Sequence, residues 1–211
     1  MAKPTGRREL EKLMKKEGRL PPGQSLTVKF PILHNGSVPT FNPETWRFKI
    51  WGEVKEEISL TWEEFSQLPQ TEVELDIHCV TRWSKFDTRW KGVAMSTLID
   101  QGILQLKPEA AFVLQHTEGS YSTNLPLEIT LQKNFLLATH FNSAPLIPDH
   151  GAPLRGMVGN IPGSGIKTPY FWKGAKWLTG LEFLTDDQMG FWEKAGYHNE
   201  GDIWKEQRTA K

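Results

Sequence analysis

A chain of 211 residues is long enough to bury a core without disulfide or metal staples, and it suits one domain with or without a tail. Its 25 Lys+Arg balance 25 Asp+Glu, so no net field draws it to nucleic acid or anionic lipid, and neither partner is expected. One cysteine excludes an intramolecular disulfide, and no stretch approaches the length of a membrane span.

Residues 1–25 read as a basic, polar arm, with a short helix over Glu9–Lys16 ended by Gly18 and the Pro21-Pro22-Gly23 run. Arg7-Arg8 superficially looks like a twin-arginine export signal. Glu9 to Gly18 carries repeated charges and no apolar segment, so the reading is a soluble, cytoplasmic chain. Residues 26–211 are expected to form one domain with its tail. Phe30 to Pro43 is too rich in Pro, Asn and Gly for long regular structure. Trp46, Phe48 and Ile50 alternate with polar partners and predict a strand. Thr61-Trp62-Glu63-Glu64 is a capping box that opens a short helix with Phe65 and Leu68 on one face, stopped by Pro69.

In the next predicted strand Val73, Leu75, Ile77 and Cys79 share one face, and Glu74, Asp76 and His78 the other. The cysteine thus extends the core-facing set, where the polar run Thr81-Arg82-Trp83-Ser84 begins. A helix is predicted over Ser96–Gln101. Strands follow around Ala111–His116, Phe135–His140, Leu154–Val158 and Trp177–Leu184, and a last helix over Asp186–Ala195 with Thr185 as cap. Strands and short helices mix without regular β-α alternation, which predicts an α+β fold with a mixed sheet.

Three constellations carry chemistry. By position alone, a lone cysteine ending an apolar strand is most often an inert buried thiol. His78, Arg82 and Arg89 lie close in sequence, and cations favour the thiolate that binds soft metals. The second is His150-Gly151-Ala152-Pro153-Leu154-Arg155, where a tight loop can bring backbone N–H groups and a guanidinium to one point. An anionic ligand needs that arrangement, although a structural loop with a surface arginine fits equally. The third is Trp172-Lys173-Gly174-Ala175-Lys176-Trp177, in which a glycine allows close approach and lysines can neutralise phosphate. No P-loop or dinucleotide glycine pattern is present, and the histidine spacing gives no support to zinc.

In series, His78-Cys79-Val80-Thr81-Arg82-Trp83-Ser84, His150 to Arg155 and Lys173 to Trp177 resemble the molybdopterin-binding domain of the sulfite oxidase family, and the Gly190–Asp202 tail is similar to those of its short bacterial and archaeal branch. The resemblance runs from Phe30 to Arg208. It implies a mixed α+β, barrel-like core around one pterin and a molybdenum–molybdopterin cofactor with Cys79 as the metal ligand. His150, Arg155, Gly174, Ala175 and Lys176 match cofactor-binding residues, as do Thr117 and the loop bearing His34 and Asn35. The expected activity is oxygen-atom transfer on a small oxyanion or sulfoxide, with Arg82 attracting substrate unless it merely pairs with Asp76 or Asp87. Sulfite-oxidising members carry paired arginines after the cysteine and a tyrosine at the metal; here only Arg82 stands in that run. Trp83-Ser84 is similar to the methionine-sulfoxide reductase branch. The sequence has no haem-attachment motif, so electrons are expected to pass through an external donor or acceptor. Two rivals remain: a Cys-His hydrolase using His116, His140 or His150 as base, and a non-catalytic pterin-binding module.

Overall fold

A computed structural model describes residues 6–210. The arm holds α1 (Arg7–Lys16) and the two-residue strand β1 (Ser25–Leu26). Then come β2 (Arg47–Gly52), β3 (Ile58–Thr61), α2 (Trp62–Ser66), β4 (Thr71–His78), β5 (Trp83–Val93) and α3 (Met95–Asp100). The second half contains β6 (Phe112–Thr117), β7 (Ser122–Pro126), α4 (Leu127–Thr130), β8 (Phe135–Phe141), β9 (Ala144–Pro145) and β10 (Arg155–Val158). It closes with β11 (Leu178–Leu184) and α5 (Phe191–Lys194), and single 3-10 turns lie at Pro148–His150 and Phe171–Lys173.

The strands form two mixed sheets. One runs β1-β5-β8-β10, with β4 also paired to β5 and β9 to β8; the other runs β3-β2-β11-β6-β7. The fold is therefore α+β as the sequence predicts, but the sheets do not close on each other, which corrects the barrel-like expectation. Parallel pairing occurs between β2 and β11 and between β1 and β5.

The main core lies on the five-stranded sheet, where the alternation of β2 points Phe48 and Ile50 inward to meet Phe65, Leu181 and Phe183. Each such side chain, fully buried, contributes roughly 1.5–3 kcal/mol. A smaller cluster of Leu75, Ile77, Trp90, Met157 and Phe171 lies under the six-stranded sheet and forms the floor of the site described below.

Thr61 accepts from the Glu64 N–H while the Glu64 carboxylate accepts from the Thr61 N–H, so the predicted capping box is formed. Three findings add to or correct the expected elements. The polar run after Cys79 turns at Val80–Arg82 and leads at Trp83 into β5, at eleven residues the longest strand, which the sequence reading does not predict. Asp76 and His78, on the face opposite the apolar set, are buried as well: Arg19 from the arm covers that side and donates to both Asp76 carboxylate oxygens. The last helix is only Phe191–Lys194, because Asp187 is held by Asn124 and Asn199 and the chain from Thr185 to Gly190 stays extended or bent.

Candidate cofactor site

One cavity of about 270 Å³ opens between the end of β4, the start of β10 and the Phe171–Trp177 segment. Cys79, Arg155, Gly174 and Lys176 all line it, together with His34 and Asn35 from the Pro/Asn/Gly-rich loop. Residues at least 44 positions from Cys79 along the chain thus converge on it.

Cys79 ends β4 in a tight turn. Its N–H donates to the Trp83 carbonyl (2.9 Å), and its carbonyl accepts from the Arg82 N–H (3.0 Å). Arg82 takes the left-handed conformation that this turn requires (φ 73°). The Thr81 hydroxyl donates to Sγ at 3.1 Å. Burial pushes the thiol's pKa up, and among the cations Arg208 from the tail offsets this in part. Of the cations close to it in sequence, His78, Arg82 and Arg89, none takes that part. His78 is buried and neutral, pushed down to about 3 by burial, with Nδ1 at 2.8 Å from the Ser84 hydroxyl. Arg89 pairs with Glu74 on the surface.

Arg155 is the second element of the site. Its guanidinium is 1% exposed and donates to the carbonyls of His150 (3.0 Å), Gly174 (3.3 Å) and Gly156 (3.4 Å). It lies over the Phe171 ring at 4.4 Å. Among the described residues no carboxylate comes within ion-pair distance, and burial pushes its pKa down to about 9. Lys176 is also depressed, to about 7, by burial first and by Arg155 second; its Nζ donates to the Asp149 carbonyl. Two cations that share one cavity without a carboxylate form a site whose electrostatics are completed by an anion.

The Lys173–Ala175 backbone is held from the neighbouring sheet. The buried Gln115 amide donates to the Lys173 carbonyl (2.7 Å) and accepts from the Ala175 N–H (3.1 Å). Gly156 must lack a side chain there, since a Cβ would stand 1.9 Å from Gln115 Oε1. Gln115 escaped the sequence reading because a buried glutamine inside an apolar strand carries no spacing signal.

Four predicted residues sit outside the cavity lining. Ala175 is fully buried, and its N–H and carbonyl are occupied by Gln115 and Gly156. Thr117 donates to the Tyr121 carbonyl (2.8 Å) and so shapes the turn that sets Tyr121, itself a wall of the cavity, with its hydroxyl donating to the Trp172 carbonyl. His150 stacks on Phe30 (3.9 Å between centroids, 9° between planes), with Nδ1 unpartnered and its pKa pushed down to about 4 by burial. Arg82 is 64% exposed and pairs with Glu206 at 3.4 Å. The alternative partners named for it, Asp76 and Asp87, are taken by Arg19.

Aromatic rings complete the walls. Phe30, Trp83, Phe171 and Trp172 stand inside, and Trp192 and Tyr197 arrive from the tail. Of these, Trp83, Trp172, Trp192 and Tyr197 belong to segments that the sequence singled out, whereas Phe30 and Phe171 do not.

Comparison with known proteins gives the family. The family model described as "Oxidoreductase molybdopterin binding domain" matches residues 35–192. The chain belongs to that family. It is 42% identical to the uncharacterized oxidoreductase YuiH of Bacillus subtilis, over 90% of this chain and 92% of that protein. Mitochondrial sulfite oxidase of Rattus norvegicus is 24% identical over 84% of this chain, which spans 37% of the length of that enzyme. The protein-methionine-sulfoxide reductase catalytic subunit MsrP of Campylobacter jejuni is 26% identical over 72% of this chain and 54% of that protein. In fold it is similar to the sulfane dehydrogenase SoxCD from Paracoccus pantotrophus, with a TM-score of 0.63 at 17% identity, covering 81% of this chain and 47% of that one. The chain is thus an oxidoreductase of the molybdopterin-binding, sulfite oxidase-like family. No described helix is long and apolar enough to cross a membrane.

The residues fit such a cofactor. Among the described residues no group of three or more His, Cys, Asp or Glu could hold a metal, so a metal at Cys79 would take most of its ligands from a bound molecule. Arg155 and Lys176, in a cavity with no Asp or Glu among its described lining residues and with only Asp149 acting on Lys176 from outside it, suit the phosphate of a pterin.

Proposed function

We propose that the chain binds molybdenum–molybdopterin through Cys79 and catalyses oxygen-atom transfer on a small oxyanion or sulfoxide, exchanging electrons with an external donor or acceptor. The carrying observation is that a buried thiol and two cations without carboxylate partners line one cavity. When bound, the cofactor supplies the two-electron redox chemistry at its metal. The protein's residues do the rest. Cys79 supplies a soft sulfur from a turn held by two backbone hydrogen bonds. Arg155 and Lys176 bind the anionic end, and Gln115 holds the backbone from which Lys176 projects. The aromatic walls exclude water, which strengthens each electrostatic contact inside.

The hydrolase reading has no observation in its favour. None of His116, His140 and His150 lines the cavity with Cys79; His116 pairs with Glu182 at 2.8 Å, and His140 lies 2.8 Å from the Thr139 hydroxyl. Arg82 is not retained as the substrate-attracting group, since its side chain turns to Glu206.

The test is metal analysis of the purified protein together with fluorescence of the oxidised, released pterin. About one molybdenum and one pterin per chain are expected. Cys79→Ser should abolish turnover with reduced or oxidised dyes while the circular dichroism spectrum stays that of the parent. Full turnover by Cys79→Ser would refute the ligand assignment.

A further inference from the structure

The turn that carries Cys79 is gripped by both ends of the chain. From the arm, the buried Gln24 donates from Nε2 to the Cys79 carbonyl at 3.0 Å, and the Ser25 N–H donates to the Arg82 carbonyl at 2.9 Å. From the tail, Arg208 Nη1 donates to the Val80 carbonyl. The same guanidinium reaches back to the arm through Nη2, at 3.3 Å from the Gly23 carbonyl and 3.5 Å from that of Pro22. It is itself fixed by Glu206 (3.2 Å from Nε) and by the Tyr170 ring, 5.0 Å beneath it.

The fit around this junction is close. Gly23 has a positive φ of 65°, which side chains disfavour, and a Cβ there would displace the Glu206 carboxylate, 2.1 Å away, so arm and tail meet closely at this point. Arg208 is 12% exposed along its side chain, so its bonds are largely shielded from competing water. Two consecutive peptide carbonyls, those of Cys79 and Val80, are therefore pinned by side chains from opposite termini.

We propose that Gln24 and Arg208 are positioning residues that clamp the Cys79 peptide and so fix the direction in which Sγ enters the cavity. The inference rests on the reading of Cys79 as the metal ligand. The physical reason is the shortness of the side chain. Cys has one rotatable bond between Cα and Sγ, so a shift or tilt of the Cys79 backbone carries the sulfur with it, and a ligand must be held to within about 0.5 Å to bind well. The turn's own bond from the Arg82 N–H holds the Cys79 carbonyl from one side; Gln24 adds a second donor to that carbonyl and Arg208 one to the Val80 carbonyl, so the backbone beneath the sulfur is fixed from several sides.

The sole cysteine makes the test direct, because every thiol label reports on Cys79. Gln24→Leu and Arg208→Met remove the donors while keeping bulk, and Arg208→Lys restores one donor without the fork. The full-length, cofactor-free chain is labelled with iodoacetamide, and the loaded chain is examined by electron paramagnetic resonance of its half-reduced metal. Both removals should accelerate labelling about tenfold, because labelling of a buried group follows the population of local openings. Both should also broaden or shift the resonance signal, and Arg208→Lys should fall between them and the parent. Phe65→Leu, in the remote core, controls for general loss of stability and remains informative should Arg208→Met fail to fold. Parental labelling rates in both removals would overturn the clamp. So would labelling that simply follows the urea midpoint across all variants, Phe65→Leu included. Lack of molybdenum in the unaltered protein would instead refute the proposed cofactor, and the labelling series would still judge the clamp.

Discussion

Arg155 places its guanidinium against three backbone carbonyls and two aromatic faces, a setting that holds the side chain rigid but leaves its charge unneutralised. Arg155→Lys keeps the charge but cannot reach all three carbonyls, so buried acceptors lose their donors. The cofactor-free protein should lose about 1–3 kcal/mol in urea unfolding, with a larger loss in retained molybdenum. Lys176 carries the pH dependence. With its pKa at about 7, it is a cation below that pH and mostly neutral above it. Sulfate, which keeps its charge across this range, should bind the cofactor-free protein best below pH 7 and weaken as pH rises through that value. Lys176→Arg should flatten the profile in a calorimetric titration. A profile equally steep in both proteins would show that Lys176 does not govern it.

At the scale of elements, β5 explains why the site is rigid. It pairs with β4 along most of its length on one edge, and with β1 at its start and β8 at its far end on the other, so the strand that follows Cys79 is held on both edges. Gly92 is where β5 meets β8 most closely: a Cβ would stand 2.1 Å from the Leu137 carbonyl. Gly92→Ala pushes on backbone, which cannot move aside as a side chain can, and should destabilise by about 1–3 kcal/mol or more by urea unfolding. Thr61→Ala removes the hydroxyl half of the capping box on α2 and should cost about 1 kcal/mol, without effect on cofactor content. The contrast separates elements that build the site from those that only support the core. α2 was legible from a four-residue motif, whereas β5 was not. Its buried positions include Ser84, Thr88 and Gly92, so its period of two is not written in apolar residues.

At the scale of the whole molecule, tail and sheet are joined by a buried ion pair. Lys173 Nζ lies 2.6 Å from Glu193 Oε1, both side chains almost fully enclosed, and Asn124 and Thr123 complete the network. The pair anchors α5, which brings Trp192 to the cavity wall, and its lysine begins the Lys173–Trp177 motif. Glu193→Gln leaves the buried ammonium without its counter-charge and should cost about 3–5 kcal/mol, whereas the apolar double replacement Lys173→Met with Glu193→Leu should recover much of that. Additive effects in urea unfolding would show that the two groups are not coupled. We propose on the same grounds that arm and tail work as one unit with the domain, since α1 buries Met14 beside Leu20 and Leu26, and Arg19 closes over Asp76.

What the sequence determined by itself was local: the alternation that buries Phe48 and Ile50, the capping box at Thr61, and the inward direction of Cys79 at the end of β4. These depend on nearest-neighbour periodicity and on side-chain to backbone bonds a few residues apart, which can be read along a line. The three motifs also named Cys79, Arg155, Gly174 and Lys176 in the cavity wall, because each carries an unusual residue type at a turn. Only the tertiary structure decided that Arg82 turns away to Glu206, that Arg19 rather than Arg82 pairs with Asp76, and that Gln24, Gln115 and Arg208 brace the site. The pairing of a buried donor with a backbone carbonyl more than fifty residues away depends on how sheets pack, and no local pattern records it.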